Sequence, residues 1–423
     1  VSAATATAPG PAFLVGVLLA AQTFGTLATM TLPAVAPAAA GSYGISASLI
    51  GYQVSLLAAA MLVSLTLGGR VSLRWGACRA TQIALALLVA GCLVAILPHP
   101  AFLFGSAVPL GLGYGLLSPP ASQLLARFTP PQRRNLVFSL KQTGVPLGGI
   151  LAAVVTPAIA VLFGWRWAMV GGALVLCALM LVMQPWRERW DDDRDPSIRL
   201  AAQPFAGIAI VWRRAALRLL ALSGGSFVIV QICLQTFTVV LFVEQLGIGL
   251  VTAGLVLTAS QAGGVFGRLF WGWLADATRN CFGVLAVLAV VMIAACLSGL
   301  ALGPGWPVAA SCALFFVLGS TASGWNGAFM AEVARLAPRR EVPTATAGAL
   351  VFVNVGKMAG PILFTSAYLL AGSYTLVFGL LALPAAAGLA CVLAAHRLSA
   401  SAVDGPPAPA GRQAAGDRRA GSL

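Results

Sequence analysis

Long apolar runs separated by short polar breaks make up this chain from about residue 12 to residue 396. A helix needs about 20 mostly apolar residues to cross a bilayer. Such runs recur at 12–38, 47–69, 78–97, 101–126, 135–162, 166–185, 217–243, 250–275, 281–302, 307–334, 343–370 and 374–396. Backbone groups in hydrocarbon must be satisfied within the segment, so runs of this length are helices. A β-barrel would show short alternating segments instead. The pattern predicts an all-α membrane protein with twelve transmembrane helices.

One long polar stretch, Trp186 to Arg214, interrupts the series and contains RERWDDDRDPSIR. It divides the chain into a six-helix bundle over 1–185, a linker over 186–216 and a second six-helix bundle over 217–397. The tail, 398–423, is rich in Ala, Gly and Pro and is expected to be disordered. A faint repeat relates the halves. Gly44-Ile45 precedes Gly69 by about the distance at which Gly247-Ile248 precedes Gly272, and each span so opened ends in a glycine followed by basic residues. Two pseudo-symmetric bundles of this kind are a transporter architecture.

Composition agrees: 9% of residues are charged, against about a quarter in soluble proteins. The net charge of +14 would suggest nucleic acid on a soluble domain, but its placement points elsewhere. With the N-terminus inside, the inner connections hold Arg70, Arg74 and Arg79; Arg127, Arg133 and Arg134; Arg187 through Arg218; Arg279; Arg335, Arg339 and Arg340; and the tail arginines. The outer connections hold only Arg166. That asymmetry predicts an inner (cytoplasmic) membrane protein with both termini cytoplasmic. The expected partner is the lipid bilayer, with no nucleic acid. Most tryptophans fall at or near helix ends, as an interfacial belt would have them; Trp325 alone sits well inside a span.

The stretch before the first span is uncharged and shows no cleavable signal pattern. None of the eight cysteines has C-x-x-C spacing, so they read as packing residues rather than metal or redox ligands. No nucleotide loop, metal cluster or nucleophile motif is present. Neither an enzyme nor a cofactor is expected.

An ionisable side chain near the bilayer centre costs about 2.5–3.5 kcal/mol on insertion scales and usually faces inward. Three qualify: Lys141, Arg268 and Lys357. Arg268 stands eight residues before Asp276, more than two turns and too far for a direct helical pair. Lys357 lies near the middle of its span. Lys141 lies about seven residues from Arg134, and both an interfacial and a cavity position are open to it. No Asp, Glu or His lies mid-span; Glu332 is expected to pair with Arg335. A cavity of this sign favours an anion, with a guanidinium fork and an ammonium to neutralise it. Trp325, Asn326, Gln22, Gln231, Gln235 and Tyr114 are neutral candidates for the same site, with helix packing as the competing reading, above all for Asn326.

The twelve spans, the linker and the loop after each half's second helix resemble the major facilitator superfamily, whose loop signature is Gly-x-x-x-Asp-Arg/Lys-x-Gly-Arg/Lys. In the second half it reads GWLADATRN (Gly272, Asp276, Arg279). In the first it reads GRVSLRWGACR (Gly69, Arg74, Gly76, Arg79), with Leu73 where the family usually has Asp. The departure weakens a charge contact that in the family helps hold the outward-open state. TGVPLGG in the fifth span (Gly144, Pro146, Gly148, Gly149) looks like a degenerate Gly-Pro motif of antiporter branches. GRLFWGWLAD and VGKMAGP are similar to the eighth and eleventh spans of oxalate/formate antiporters and related monocarboxylate transporters. That likeness implies that Arg268 and Lys357 contact a substrate carboxylate. Monocarboxylate porters often place an acid one turn before the arginine, where this chain has Gly264.

The resulting expectation is a monomeric secondary transporter of a small organic anion, a mono- or dicarboxylate, working by alternating access. Two alternatives stay open. The fifth-span motif fits proton-coupled efflux of drug-like or hydrophobic compounds, and the linker and tail fit a sensor or scaffold.

Overall fold

The computed structural model describes residues 11–130, 133–198, 200, 205–338 and 341–401. Twelve helices among them are long and apolar enough to cross a membrane: Ala12–Ala34, Ala47–Trp75, Ala77–Ala95, Pro100–Phe128, Leu140–Phe163, Trp165–Trp190, Ala215–Gln245, Leu250–Thr278, Cys281–Ala301, Val308–Leu336, Thr344–Ala371 and Tyr374–Ser399. Each overlaps the apolar run that predicts it, and they are numbered here as the first to twelfth spans. The linker differs from expectation. The sixth span continues to Trp190, and a further helix, Phe205–Arg213, follows before the seventh. Its sequence is apolar but only nine residues long, too short to read as a crossing. The last helix runs on through Ser401, into the expected tail; residues 402–423 lie outside the described residues.

Successive spans alternate in direction. One end of the bundle therefore carries Arg74, Arg79, Arg127, Arg134, Arg279 and Arg335, and the other carries Arg166. These are called the arginine-rich and arginine-poor ends.

Helices in lipid associate through close packing of small residues, because lipid tails are as apolar as leucine. Gly144 and Gly148 of the fifth span lie against the carbonyls of Leu19 and Thr23 in the first. In the second half, Gly356 and Gly360 of the eleventh span lie against Gly225 and Ile229 of the seventh. Gly111 and Gly115 of the fourth span meet the Leu57 and Met61 carbonyls of the second. Gly263 and Gly267 of the eighth meet those of Phe316 and Ser320 in the tenth. The repeat is thus one of packing as well as sequence. It also fixes backbone conformation: Gly44 and Gly247, at φ 63° and 66°, are 203 residues apart, as are Gly76 and Arg279, at 95° and 51°.

Between the halves, Thr365 Oγ1 donates to the Ser48 carbonyl at 2.9 Å. Gly51 packs on Pro361 and Thr365, Gly254 on Ala153 and Pro157, and Gly149 on the Gln261 amide. All these contacts lie from the middle of the bundle toward the arginine-poor end, which is closed.

Tryptophans divide between two environments. Trp75, Trp167, Trp212 and Trp273 are exposed, as an interfacial belt requires. Trp165, Trp190 and Trp271 are buried instead, and the Trp271 indole donates to Ser320 Oγ at 3.2 Å.

Candidate functional site

The eighth span shows how the sequence aims Arg268. Residues seven apart on a helix differ in direction by only about 20°. Gly254, Gln261 and Arg268 form such a stripe, and the first two already touch the other half, at Ala153, Pro157 and Gly149. Arg268 therefore faces the first half too. It is within electrostatic range of Tyr114 there and of Lys357 in its own half. Lys357 sits on the eleventh span one and two turns from Pro361 and Thr365, the residues that meet Gly51. The lipid-facing side of the eighth span is the stripe of Phe266, Leu269 and Trp273, all exposed.

Depth agrees. At about 1.5 Å per residue, Arg268 and Gln22 lie about 15 Å along their helices from the arginine-rich end, and Lys357 and Tyr114 about 20 Å. Arg268 and Lys357 nonetheless retain partial solvent exposure.

On the opposite wall the first half presents a hydrogen-bonded group. Lys141 Nζ donates to Gln22 Oε1 at 2.7 Å and to Ser118 Oγ at 3.3 Å. Gln22 Nε2 donates to Tyr114 Oη at 3.3 Å, and Thr26 Oγ1 lies 3.1 Å from the same oxygen. Lys141 is 4% exposed, and its partners are all neutral. The ambiguity over its place ends here: it lies inside the bundle, not at the interface. Toward the arginine-poor end, Gln235 Nε2 donates to Gln261 Oε1 at 3.3 Å. Gln231 is half-buried one turn before Gln235 on the seventh span.

Trp325 and Asn326 are placed differently from the cavity role considered for them. Trp325 is 1% exposed, wedged between Phe227 and Phe329, with its indole N–H satisfied by the Ala322 carbonyl at 2.9 Å. It fills the core where the tenth span breaks. Asn326 turns back on its own helix, donating to the Ser323 carbonyl at 3.2 Å.

The loop signatures show an asymmetry invisible in the sequence. In the second half, Asn280 caps the ninth span by accepting from the Gly283 N–H at 2.8 Å. Asp276 and Arg279 are exposed there, and Gly272 is half-buried. The equivalent of Asn280 in the first half is Ala77, which cannot cap. Asp191, from the linker, does so instead: its carboxylate accepts from the Cys78 N–H at 2.6 Å and the Arg79 N–H at 3.0 Å. Gly76, at φ 95°, has Asp191 directly where a side chain would stand. Arg74 donates to the Ile198 carbonyl at 3.0 Å, and Gly69 is exposed. Asp192 and Asp193 pair with Arg127, and Gln123 joins Asp193 to Ser72. Asp191 is 3% exposed; burial pushes its carboxyl above the ordinary range against the pull of its two N–H donors. The signal for this cap was the uncapped start ACRAT beside the acidic run DDD. Glu332 pairs with Arg335 at 2.7 Å, as its spacing predicts.

The fifth-span motif packs on both sides: Gly144 and Gly148 on the first span, Gly149 on Gln261. Pro146 is half-buried between them.

Comparisons with known proteins agree with the twelve-helix fold. Over 171 residues the chain is 29% identical to uncharacterised MFS-type transporters from two strains of Mycobacterium tuberculosis, a match spanning 39% of this chain and 36% of theirs. Among solved structures it is similar to a bacterial homologue of the human lysosomal transporter Spinster, in an inward-facing and occupied conformation (TM-score 0.70, 15% identity, 93% of this chain and 98% of that one). It is also similar to a peptide transporter POT in complex with sulfate (TM-score 0.74, 16% identity, 92% and 94%). At these identities the likeness is one of fold. The sequence profile of the Major Facilitator Superfamily matches residues 17–331 and 244–419, nearly the whole chain. This chain is therefore a major facilitator superfamily protein, an integral membrane transporter and not an enzyme.

Proposed function

We propose that this transporter moves a small organic anion, a mono- or dicarboxylate, by alternating access, and that Arg268 and Lys357 neutralise it. The observation that carries the reading is that Arg268 and Lys357, at similar depth, lie within electrostatic range of one another where the sequence supplies no mid-span Asp, Glu or His. Two cations held together without an acid repel one another, and an anion between them relieves that repulsion. Arg268 offers a planar fork that matches a carboxylate; Lys357 offers a point charge. Tyr114 and Gln22 face them from the other half, with Lys141 behind. Gln231, Gln235 and Gln261 lie toward the closed end.

The missing acid also bears on coupling. Exchange of anions, or movement of a proton together with the substrate, fits better than a protonated carboxylate on the protein. The arginine-rich end takes the cytoplasmic side of an inner membrane under the positive-inside rule. The halves act as the rigid bodies on either side of the linker, and the monomer is the working unit.

The test is thermal stabilisation of purified protein by a panel of carboxylates, organic cations and neutral sugars. A ligand at about 100 times its dissociation constant should stabilise the fold by about 2.7 kcal/mol. Carboxylates should stabilise the native protein and lose that effect in Arg268→Ala and Lys357→Ala. Stabilisation only by cations or apolar compounds, unchanged in both variants, would overturn the proposal.

A further inference from the structure

The linker helix Phe205–Arg213 closes against the eleventh span through Gly207, whose backbone meets Thr344 and Gly348. At its end Trp212 is 54% exposed and stacks on Phe352 of that span, centroids 6.1 Å apart and rings within 8° of parallel. The Arg218 guanidinium lies 5.2 Å from the Trp212 ring and donates to its carbonyl at 3.2 Å. Arg213 and Arg214 are exposed beside it. No ion-pair partner holds either of them among the described residues.

Depth places this group at the edge of the hydrocarbon. The seventh span has 31 residues and the eleventh 28, about 46 and 42 Å of helix against a hydrocarbon core of about 30 Å. Some 6–8 Å of each helix therefore projects at either end. Arg218, three residues into its span, lies within that projecting part. Phe352, eight residues in, lies about 6 Å inside the hydrocarbon. Trp212 spans the boundary, with its ring against Phe352 below and the Arg218 guanidinium beside it, and Arg213 and Arg214 follow it in the chain. A surface that is apolar below and cationic above matches the shape of a phospholipid with a negatively charged headgroup.

We propose that Trp212, Arg213, Arg214 and Arg218 form a binding site for an anionic phospholipid in the leaflet at the arginine-rich end. The lipid phosphate lies among the arginines and its glycerol and upper acyl chain lie against Trp212. Because the linker helix rests on the eleventh span, an occupied site fastens the linker to the second half. This inference does not depend on the nature of the transported substrate.

The experiment titrates short-chain phosphatidylglycerol, phosphatidylcholine and inorganic phosphate separately into the detergent-purified full chain, following thermal stability. Native mass spectrometry on the same samples counts retained lipid. Phosphatidylglycerol should stabilise the native protein and remain bound, while phosphatidylcholine and phosphate should do neither. In Arg213→Gln/Arg214→Gln, half-saturation should need more phosphatidylglycerol, by about fivefold for each arginine removed. Trp212→Ala should shorten retention. The double arginine variant should melt like the native protein in phosphatidylcholine, because both substituted side chains are exposed. Equal response to both lipids, or an unchanged half-saturation in the double arginine variant, overturns the proposal. So does stabilisation by phosphate alone, which would mark a free-anion site.

Discussion

Gly51 and Gly254, 203 residues apart, each press against an intrahelical proline of the opposite half: Pro361 for the first, Pro157 for the second. A side chain at Gly51 would meet the Phe237 ring and the Pro361 carbonyl at 2.7 Å, closer than real contacts allow. Gly51→Val should therefore wedge the arginine-poor end open. The check is a cysteine at Ser48, buried in the native fold, probed with an impermeant thiol reagent and read by mass spectrometry at that site. Its labelling rate should rise at least about tenfold, equivalent to about 1.4 kcal/mol in the closing equilibrium. An unchanged rate would mean that this contact does not hold the end shut.

Lys141 is buried with only neutral partners. Such a charge lowers stability. Lys141→Met should thus raise the melting temperature, by the equivalent of about 1–3 kcal/mol, while weakening carboxylate binding. A lower melting temperature with intact binding would instead make the lysine a structural hydrogen-bond hub.

Trp325 belongs to the core, so Trp325→Ala should cost about 3–5 kcal/mol and leave ligand affinity of the folded fraction unchanged. The paired readouts are denaturation and ligand titration on the same preparation. A selective loss of affinity would return Trp325 to the cavity wall.

Removing the cap on the third span by Asp191→Ala should destabilise the protein by about 0.5–2 kcal/mol. The pH dependence has a defined sign. Burial holds the Asp191 carboxyl above its unfolded value, so folding takes up a proton between the two. The contribution of this group then becomes less favourable as pH rises through that window and more favourable as pH falls. Asp191→Asn should flatten that part of the stability profile, just above the ordinary carboxylate range. A slope equal to that of the native protein would assign it to another acid.

The residues show where sequence reading reaches and where it stops. The spans were legible because run length alone decides them in lipid. The depth of Arg268 was legible because helix rise converts residue number into position, but its direction was not, since it rests on the contacts of Gly254 and Gln261 with the other half. The placement of Lys141 was not, since it depends on Gln22, 119 positions away. Trp325 misled because a mid-span tryptophan suits a cavity wall and a core equally, and only its neighbours Phe227 and Phe329 decide. The helix Phe205–Arg213 was hidden by its length; its apolar stripe was present in FAGIAIVW.

The Asp191 cap has a consequence for how the protein is made. Its donors, on Cys78 and Arg79, leave the ribosome 112 to 113 residues before the carboxylate that satisfies them. All six helices of the first half are synthesised while the start of the third still lacks its partner. That half reaches its finished form only once the linker has emerged, so a chain truncated before Asp191 should insert six helices yet remain a substrate for membrane quality-control proteases.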